Sequence, residues 1–123
     1  MNLLGEAAAW LEGQRHAHLT TAVTYVRGDD QVVLPATIGR TRFTSTDEYG
    51  RVLRHEARDF LVRAVDLVLG GTPVLPRAGD QLREGGQRYE VMAPAGEPEW
   101  RYADVNRLTL RVHTRQIAVE TTP

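Results

Sequence analysis

The sequence predicts a mainly β protein with one domain: a small antiparallel β-barrel or sandwich with a short N-terminal helix. The chain has 123 residues, which is enough for one hydrophobic core and too few for two domains of ordinary size. Turn-forming residues such as Gly85-Gly86 separate segments in which apolar and polar residues alternate and β-branched residues are frequent. The segments with the clearest alternation are residues 19–25, 32–38, 87–92 and 108–117.

Residues 1–15 are expected to form the short helix. Apolar residues recur at helical spacing from Leu4 to Leu11, and Asn2 is a candidate N-cap. A helix of this length is not stable alone. Its apolar stripe of Leu4 and Leu11, together with Trp10, must therefore dock on the barrel of the same chain or on a neighbouring subunit, which makes these three residues candidate interface residues.

The first two predicted strands form a hairpin. Gly28-Asp29-Asp30 supplies the turn, and residues 31–38 form the second strand. Pro35 has no N–H to donate, so the pattern places it at a sheet edge or a bulge. Residues 41–46 are predicted as a separate short strand that ends in the polar loop Asp47-Glu48-Tyr49-Gly50.

Residues 51–69 fit two patterns. Apolar residues such as Ala57, Phe60 and Leu61 recur at helical spacing, while Phe60 and Val62 also fit one face of a strand. Periodicity taken alone favours a helix here.

The second half of the chain contains the strongest β signals. A hairpin is predicted around Gly85-Gly86, with Tyr89 and Val91 on one face. Residues 107–117 form the clearest strand, and residues 118–123 are expected to be a tail.

One face of that last strand is basic. It carries four side chains that could face DNA: Arg107, Arg111, His113 and Arg115. They would contact a phosphate backbone, or they would form an ordinary solvated outer face, which half of any antiparallel sheet presents.

Trp100 and Tyr102 follow a loop rich in proline and glycine, residues 94–98. Large aromatic residues at such a position are candidate interface anchors. Packing across the mouth of the barrel is an equally good interpretation.

Composition limits the partners. Fifteen basic and sixteen acidic residues give a formal net charge of -1 and a pI of about 6.4, which argues against a protein built to coat nucleic acid or an anionic membrane. The basic residues are all arginine, and they are scattered along the chain. Without cysteine, disulfides and thiolate chemistry are excluded. No secretory signal or membrane span is predicted, so synthesis is expected in the cytoplasm.

No catalytic grouping is evident, and the sequence predicts a protein that is not an enzyme and has no cofactor and no metal. Ser45, His55 and Asp59 have the residue types of a hydrolase triad without the context of a nucleophile elbow. His16 and His18 lack supporting ligands at zinc spacing. A Walker-type phosphate loop is excluded because the chain has no lysine.

Several short motifs share an order with a known family. They are Asp59-Phe60-Leu61-Val62, Gly79-Asp80-Gln81-Leu82, Tyr89-Glu90-Val91, Trp100 and Arg111-Val112-His113-Thr114-Arg115. In this order, over residues 52–117, the chain resembles phage head-completion proteins, the head-tail joining or stopper-like family of the virion neck, together with its prophage relatives.

The resemblance implies a small β-barrel with long loops, in which residues 59–62 form a strand and not a helix. It also implies a structural protein of the virion that forms a homo-oligomeric ring between the portal or adaptor protein and the tail. Its expected partners are further copies of itself, the portal or adaptor, the tail-terminator or tail-tube protein and, without sequence specificity, packaged DNA.

Two other classes remain open at this point. A tail terminator or another tail-tube component would share the ring architecture and differ in its neighbours. A small nucleic-acid-binding β-barrel would use the basic face of residues 107–115 directly, and its binding would depend on salt.

Overall fold

The computed structural model describes residues 20–94 and 96–119. Their elements are β1 (Thr21–Arg27), β2 (Asp30–Thr46), β3 (Val52–Arg63), a 3₁₀ turn (Ala64–Asp66), β4 (Val68–Leu69), β5 (Thr72–Pro73), β6 (Gln81–Glu84), β7 (Gln87–Val91), β8 (Trp100–Tyr102) and β9 (Thr109–Val119). The predicted N-terminal helix, with Leu4, Trp10 and Leu11, lies outside the described residues. Within the described ranges, no helix is long and apolar enough to cross a membrane.

Six strands close into an antiparallel β-barrel. The order around the wall is β3, β2, β1, β6, β7 and β9, and the β3–β9 ladder closes it, from Arg58 opposite Thr114 to Arg63 opposite Thr109. β8 pairs with β9 beyond the end of β7. Closure removes the open edges of the wall, and it decides between the predicted barrel and sandwich in favour of the barrel.

Alternate residues of each strand fill the barrel interior. The Phe60 and Tyr89 rings meet edge to face, with centroids 5.3 Å apart and planes at 65°. Both Tyr89 and Val91 are buried, as the hairpin pattern predicts. The core cluster consists of Val23, Tyr25, Leu34, Ala36, Phe60, Val62, Leu67, Leu69, Leu82, Tyr89, Val91, Leu110 and Val112.

The two predicted hairpins are present. Arg27 pairs with Asp30 across Gly28-Asp29, and Glu84 pairs with Gln87 across Gly85-Gly86. Gly85 and Gly86 have φ values of 56° and 81°. Two successive positive φ angles match the twist of the flanking strands, and glycine adopts them without steric cost.

β2 is longer than predicted. It runs without interruption from Asp30 to Thr46, so the two separate strands expected over residues 31–38 and 41–46 are one strand. Pro35 pairs with Ala22 of β1, and the ladder with β3 begins one residue later. The missing N–H of Pro35 therefore falls where β2 has a single neighbour.

The helical interpretation of residues 51–69 is wrong, and the strand implied by the family resemblance is confirmed over residues 59–62. Val52–Arg63 is a strand. Phe60 and Val62 point into the barrel, while Ala57 and Leu61 on its outer face are also buried. Burial on both faces produces a nearly continuous apolar run, which imitates helical periodicity.

Candidate functional site

A two-stranded ribbon projects from one end of the barrel. The β1–β2 ladder stops at Ala36 and the β3–β9 ladder begins at Arg58, so within the described chain residues 41–46 and 52–57 pair only with each other. We call these two segments and their turn, residues 47–51, the ribbon. Six residue pairs at about 3.3 Å each make it about 20 Å long. An isolated two-stranded hairpin is only marginally stable. The ribbon therefore depends on the side-chain contacts at its tip and at its root.

Asp47 organises the tip. Its Oδ1 accepts hydrogen bonds from the backbone N–H groups of Tyr49 (2.9 Å) and Arg51 (2.8 Å), and its Oδ2 accepts one from Arg51 Nε (2.8 Å). The hydrogen bond from the Arg51 backbone is the main reason why the pKa of the Asp47 carboxyl lies below its usual range. The turn is thus held by its own side chains, although Glu48, Tyr49 and Gly50 are exposed.

Asp59 anchors the root of the ribbon. This fully buried carboxylate accepts hydrogen bonds from Thr41 Oγ1 on β2, from Arg111 Nη1 (2.7 Å) on β9 and from His113 Nδ1 (2.8 Å) on β9. Burial alone would raise the pKa of Asp59, but the hydrogen bonds from His113, Thr41 and Arg111 outweigh it and hold that pKa below its usual range. One side chain therefore joins three strands at the base of the ribbon.

Gly39 leaves the space that this arrangement needs. It lies opposite Asp59 on β2, and a Cβ at this position would meet Arg111 Nη1 at 3.2 Å and Leu61 Cδ1 at 3.1 Å. Both distances are tighter than ordinary van der Waals contact. The absence of a side chain lets the Arg111 guanidinium cross β3 and reach Asp59.

One face of the ribbon carries an aromatic stack. The Phe43 and His55 rings are parallel within 19°, with centroids 5.3 Å apart, and His55 Nε2 lies 2.8 Å from Ser45 Oγ. Asp59, the third member of the triad considered from sequence, is four residues from His55 along β3, about 13 Å away, and it is bound by His113. The structure brings Ser45 and His55 together without the acid that a triad requires.

Asp80 anchors the opposite end of the barrel. This buried carboxylate accepts hydrogen bonds from the Tyr25 hydroxyl, from Arg27 Nε (3.0 Å) and Nη2 (2.8 Å), and from the Arg77 backbone (3.0 Å). Desolvation, reinforced by the bond to Asp80, raises the pKa of the Tyr25 hydroxyl far above its usual range. Arg27 Nη2 also donates to the Leu75 carbonyl at 2.7 Å, so the loop of residues 74–80 is fastened to β1.

Trp100 and Tyr102 lie beside this loop. Their rings meet edge to face, with centroids 5.0 Å apart and planes at 87°, and both pack partly buried against the core. An open cleft of about 710 Å³ lies between Trp100 and the loop, lined also by Arg27, Pro73 and Pro76. Trp100 therefore packs against the barrel and also lines an open cleft, and its role as an interface anchor stays a prediction.

The four residues of the basic stripe have different surroundings. Arg111 and His113 converge on Asp59, and His113 is only 1% exposed. Arg115 is exposed and forms an ion pair with Glu90 at 3.2 Å. Arg107 is exposed, has a φ of 58° and places its guanidinium 5.7 Å from the centre of the Tyr102 ring. A DNA-facing role for the four residues stays a prediction. Two of them, Arg111 and His113, are bound to Asp59 within the fold.

Sequence reasoning missed the ribbon and its anchor. The sequence does contain a sign of the arginine face of the ribbon. Arg40 and Arg42 are two residues apart and Arg54 and Arg58 are four apart, so each pair lies on one face of a strand. The helical interpretation of residues 51–69 concealed it. In the part of the chain that the structure describes, no group of three or more His, Cys, Asp or Glu residues is placed to hold a metal ion, and His16 and His18 lie outside that part.

A family model for phage head-tail joining proteins matches residues 1–121 of the chain. The match covers all strands of the barrel, the ribbon and the cleft beside Trp100. No curated protein matches the chain significantly.

Proposed function

Because the chain belongs to the phage head-tail joining protein family, we propose that it is a structural neck protein of the virion. It forms a ring between the portal or adaptor protein and the tail, completes the DNA-filled head and joins the head to the tail. The family match carries this proposal, since it extends over almost the whole chain. We also propose that the protein is made in the host cytoplasm, acts in the virion and is not an enzyme.

The two ends of the barrel suit a ring. A closed ring needs a heterologous contact, in which one surface of a subunit meets a different surface of the next. Among the described residues, the two outer strand edges of the ribbon have no further partner, and such edges are able to add a strand from a neighbour. The other end presents the cleft beside Trp100, together with the exposed side chains of Val65 (69% exposed) and Leu75 (50% exposed).

The polar clusters fit a structural protein. Asp59 and Asp80 each hold arginine and hydroxyl groups in fixed positions inside the fold. Ser45 and His55 lie on an exposed ribbon, where water competes for their hydrogen bond. Each of these groups has its hydrogen-bond partner within the subunit, which supports a structural role.

Deletion of the gene in its phage or prophage tests the proposal. We expect DNA-filled heads and separately assembled tails that do not join, and recovery of joined particles when the wild-type protein is supplied. Pull-down with the portal or adaptor protein and with the tail-tube protein distinguishes a head-bound neck protein from a tail component. A deletion strain that assembles joined particles at the normal yield would overturn the proposal.

Trp100→Ala and Trp100→Phe examine the cleft in the same assay. Phenylalanine keeps most of the packing against the core, and alanine removes the ring as well as its exposed surface. An interface role predicts that Trp100→Ala stays folded at the assay temperature, as shown by its melting curve, and yet joins heads to tails poorly. Trp100→Phe should retain most of the joining. Equal joining by all three folded proteins would exclude Trp100 from the interface.

A further inference from the structure

One face of the ribbon, together with its root, is a row of arginines. The β2–β3 register places Arg40 opposite Arg58, Arg42 opposite Glu56 and Thr44 opposite Arg54. Opposite residues of an antiparallel pair point to the same side, and alternate residues along a strand share a face. This face therefore carries four arginines and one carboxylate, in a protein whose formal net charge is -1.

The positive charge of this face is only partly compensated. Glu56 is shared between Arg40 (3.4 Å) and Arg42 (3.9 Å), whose side chains are 73% and 85% exposed. Ion pairs this exposed contribute little and are readily exchanged for another anion. Arg54 is exposed, and no carboxylate of residues 20–94 or 96–119 forms an ion pair with it. Arg58 is paired with Glu84 at 2.7 Å.

A polar cleft continues this face at the root of the ribbon. It measures about 410 Å³ and lies where β3 and β9 separate after the pair Arg58 and Thr114. Its lining includes three arginines, Arg40, Arg58 and Arg115, the amides of Gln87 and Gln116, and one carboxylate, that of Glu56. The arginine row and the cleft together form one surface that runs from the barrel mouth along the ribbon.

We propose that this surface binds the phosphate backbone of double-stranded DNA without reading its sequence. The choice of DNA among polyanions rests on the proposed function, which places the protein beside packaged DNA. Arg40 and Arg42 are about 6.8 Å apart along β2, close to the rise of two base pairs at about 3.4 Å each. A two-stranded β-ribbon also fits the width of the major groove, whose walls are phosphates.

The composition of the face favours phosphate over a protein surface. Arginine forks bind phosphate oxygens in pairs, and the hydroxyls of Thr44 and Thr46 add neutral donors of the kind that contact DNA backbones. Protein interfaces instead centre on buried apolar and aromatic groups with few charges. Of the aromatic rings of the ribbon, Phe43 lies on the other face, stacked on His55, and Tyr49 lies in the turn beside Arg51.

The test compares two double variants of the full chain. Arg42→Gln with Arg54→Gln removes two charges from the ribbon, and Arg77→Gln with Arg101→Gln removes two exposed charges elsewhere. Fluorescence anisotropy of a labelled random-sequence DNA duplex measures binding between about 50 and 200 mM salt. Unlabelled polyglutamate, added as a competitor, distinguishes a phosphate surface from a general attraction to acids.

We expect the wild-type protein and the Arg77/Arg101 variant to bind the duplex equally, with an affinity that falls as salt rises. The Arg42/Arg54 variant should bind about tenfold more weakly, and its salt slope should be smaller by about 0.9 for each phosphate that it no longer neutralises. Polyglutamate should compete poorly.

Three results would overturn the inference: no binding by the wild-type protein at the lowest salt, equal weakening by both double variants, or displacement of the duplex by polyglutamate at equivalent charge. The last result would assign the surface to an acidic protein partner. The deletion experiment stands apart from these measurements. A protein that binds DNA through Arg42 and Arg54 but is dispensable for joining would refute the proposed function and keep this inference.

Discussion

The two ends of the barrel are built in opposite ways. At one end, the loop of residues 74–80 folds back on β1, and the buried carboxylate of Asp80 satisfies four donors. At the other end, the ribbon extends over about 20 Å, and among residues 20–94 and 96–119 its strands pair only with each other. The buried carboxylate of Asp59 joins three strands at its root.

The two ends differ in how many of their polar groups have partners within the subunit. The end fastened by Asp80 satisfies the buried carboxylate with donors of the same subunit. The ribbon leaves strand edges and arginines in solvent, where they add little to the stability of one subunit. The proposed contacts with DNA and with neighbouring subunits would stabilise such a feature, and substitutions at the two ends should therefore have different effects.

The largest effect is expected at the loop end. Asp80→Asn places an amide among the donors of Tyr25, Arg27 and Arg77, leaving the partly buried Arg27 (22% exposed) without its counter-ion. Loss of a buried carboxylate that accepts four hydrogen bonds should lower the free energy of unfolding by about 3 kcal/mol, and the melting temperature by about 4 °C for each kcal/mol. Thermal unfolding followed by circular dichroism measures the change. Asp29→Asn, in an exposed turn, is the control, and a comparable loss there would contradict the anchoring role.

A smaller and more local effect is expected at the ribbon. Asp59→Asn weakens the bonds from Arg111 and His113 and should cost about 2 kcal/mol. Because Asp59 lies where the ribbon joins the barrel, hydrogen exchange of residues 41–46 and 52–57 should accelerate more than exchange in β1 and β6.

Asp80→Asn gives the matched comparison, since it should leave the difference between ribbon and barrel unchanged. Uniform acceleration of exchange over the whole chain in Asp59→Asn would mean that Asp59 supports the barrel as a whole and does not specifically hold the ribbon.

The fold followed from the sequence wherever one strand face was buried and the other exposed. The hairpins at Gly28-Asp29 and Gly85-Gly86 and the burial of Tyr89 and Val91 are of this kind. The pattern failed in β3, because Ala57 and Leu61 on its outer face are buried as well as Phe60 and Val62 inside. When both faces are buried, apolar and polar residues no longer alternate. The strand at residues 59–62 was therefore predicted from the family resemblance and not from the pattern.

The candidate sites could be predicted only in part. Arg111 and His113 were correctly placed on one strand face, but their partner Asp59 is more than 50 positions away in sequence, and only the β3–β9 register brings them together. The same holds for the arginine row, because the positions of Arg54 and Arg58 follow from β3 being a strand. Pairing across strands is a property of topology, which local patterns do not encode.

Acid should distinguish the ribbon anchor by a further measure. The pKa of Asp59 is lower in the folded protein than in the unfolded chain, where a value of about 3.9 is usual. Its contribution to stability is therefore complete well above about pH 4 and is lost as the pH falls through the folded pKa. Urea unfolding at a series of pH values should show a smaller loss of stability in acid for Asp59→Asn than for the wild type. Identical pH profiles for the two proteins would contradict this.

The smallest expected difference compares two hydroxyl groups on the same strand face. Thr41 Oγ1 donates to the buried Asp59 at the root of the ribbon, while Ser45 Oγ bonds to the exposed His55 near its tip. Thr41→Val keeps the shape and leaves one oxygen of a buried carboxylate without that donor, so it should cost about 1 to 2 kcal/mol. Ser45→Ala removes the hydrogen bond to His55, but water can replace it at this exposed position. The substitution should therefore change stability by less than about 0.5 kcal/mol. Chemical denaturation measures the free energy of unfolding of both variants. Equal costs would show that the tip of the ribbon is held as firmly as its root, and the contrast between a fixed base and a solvated arm would no longer describe this end of the barrel.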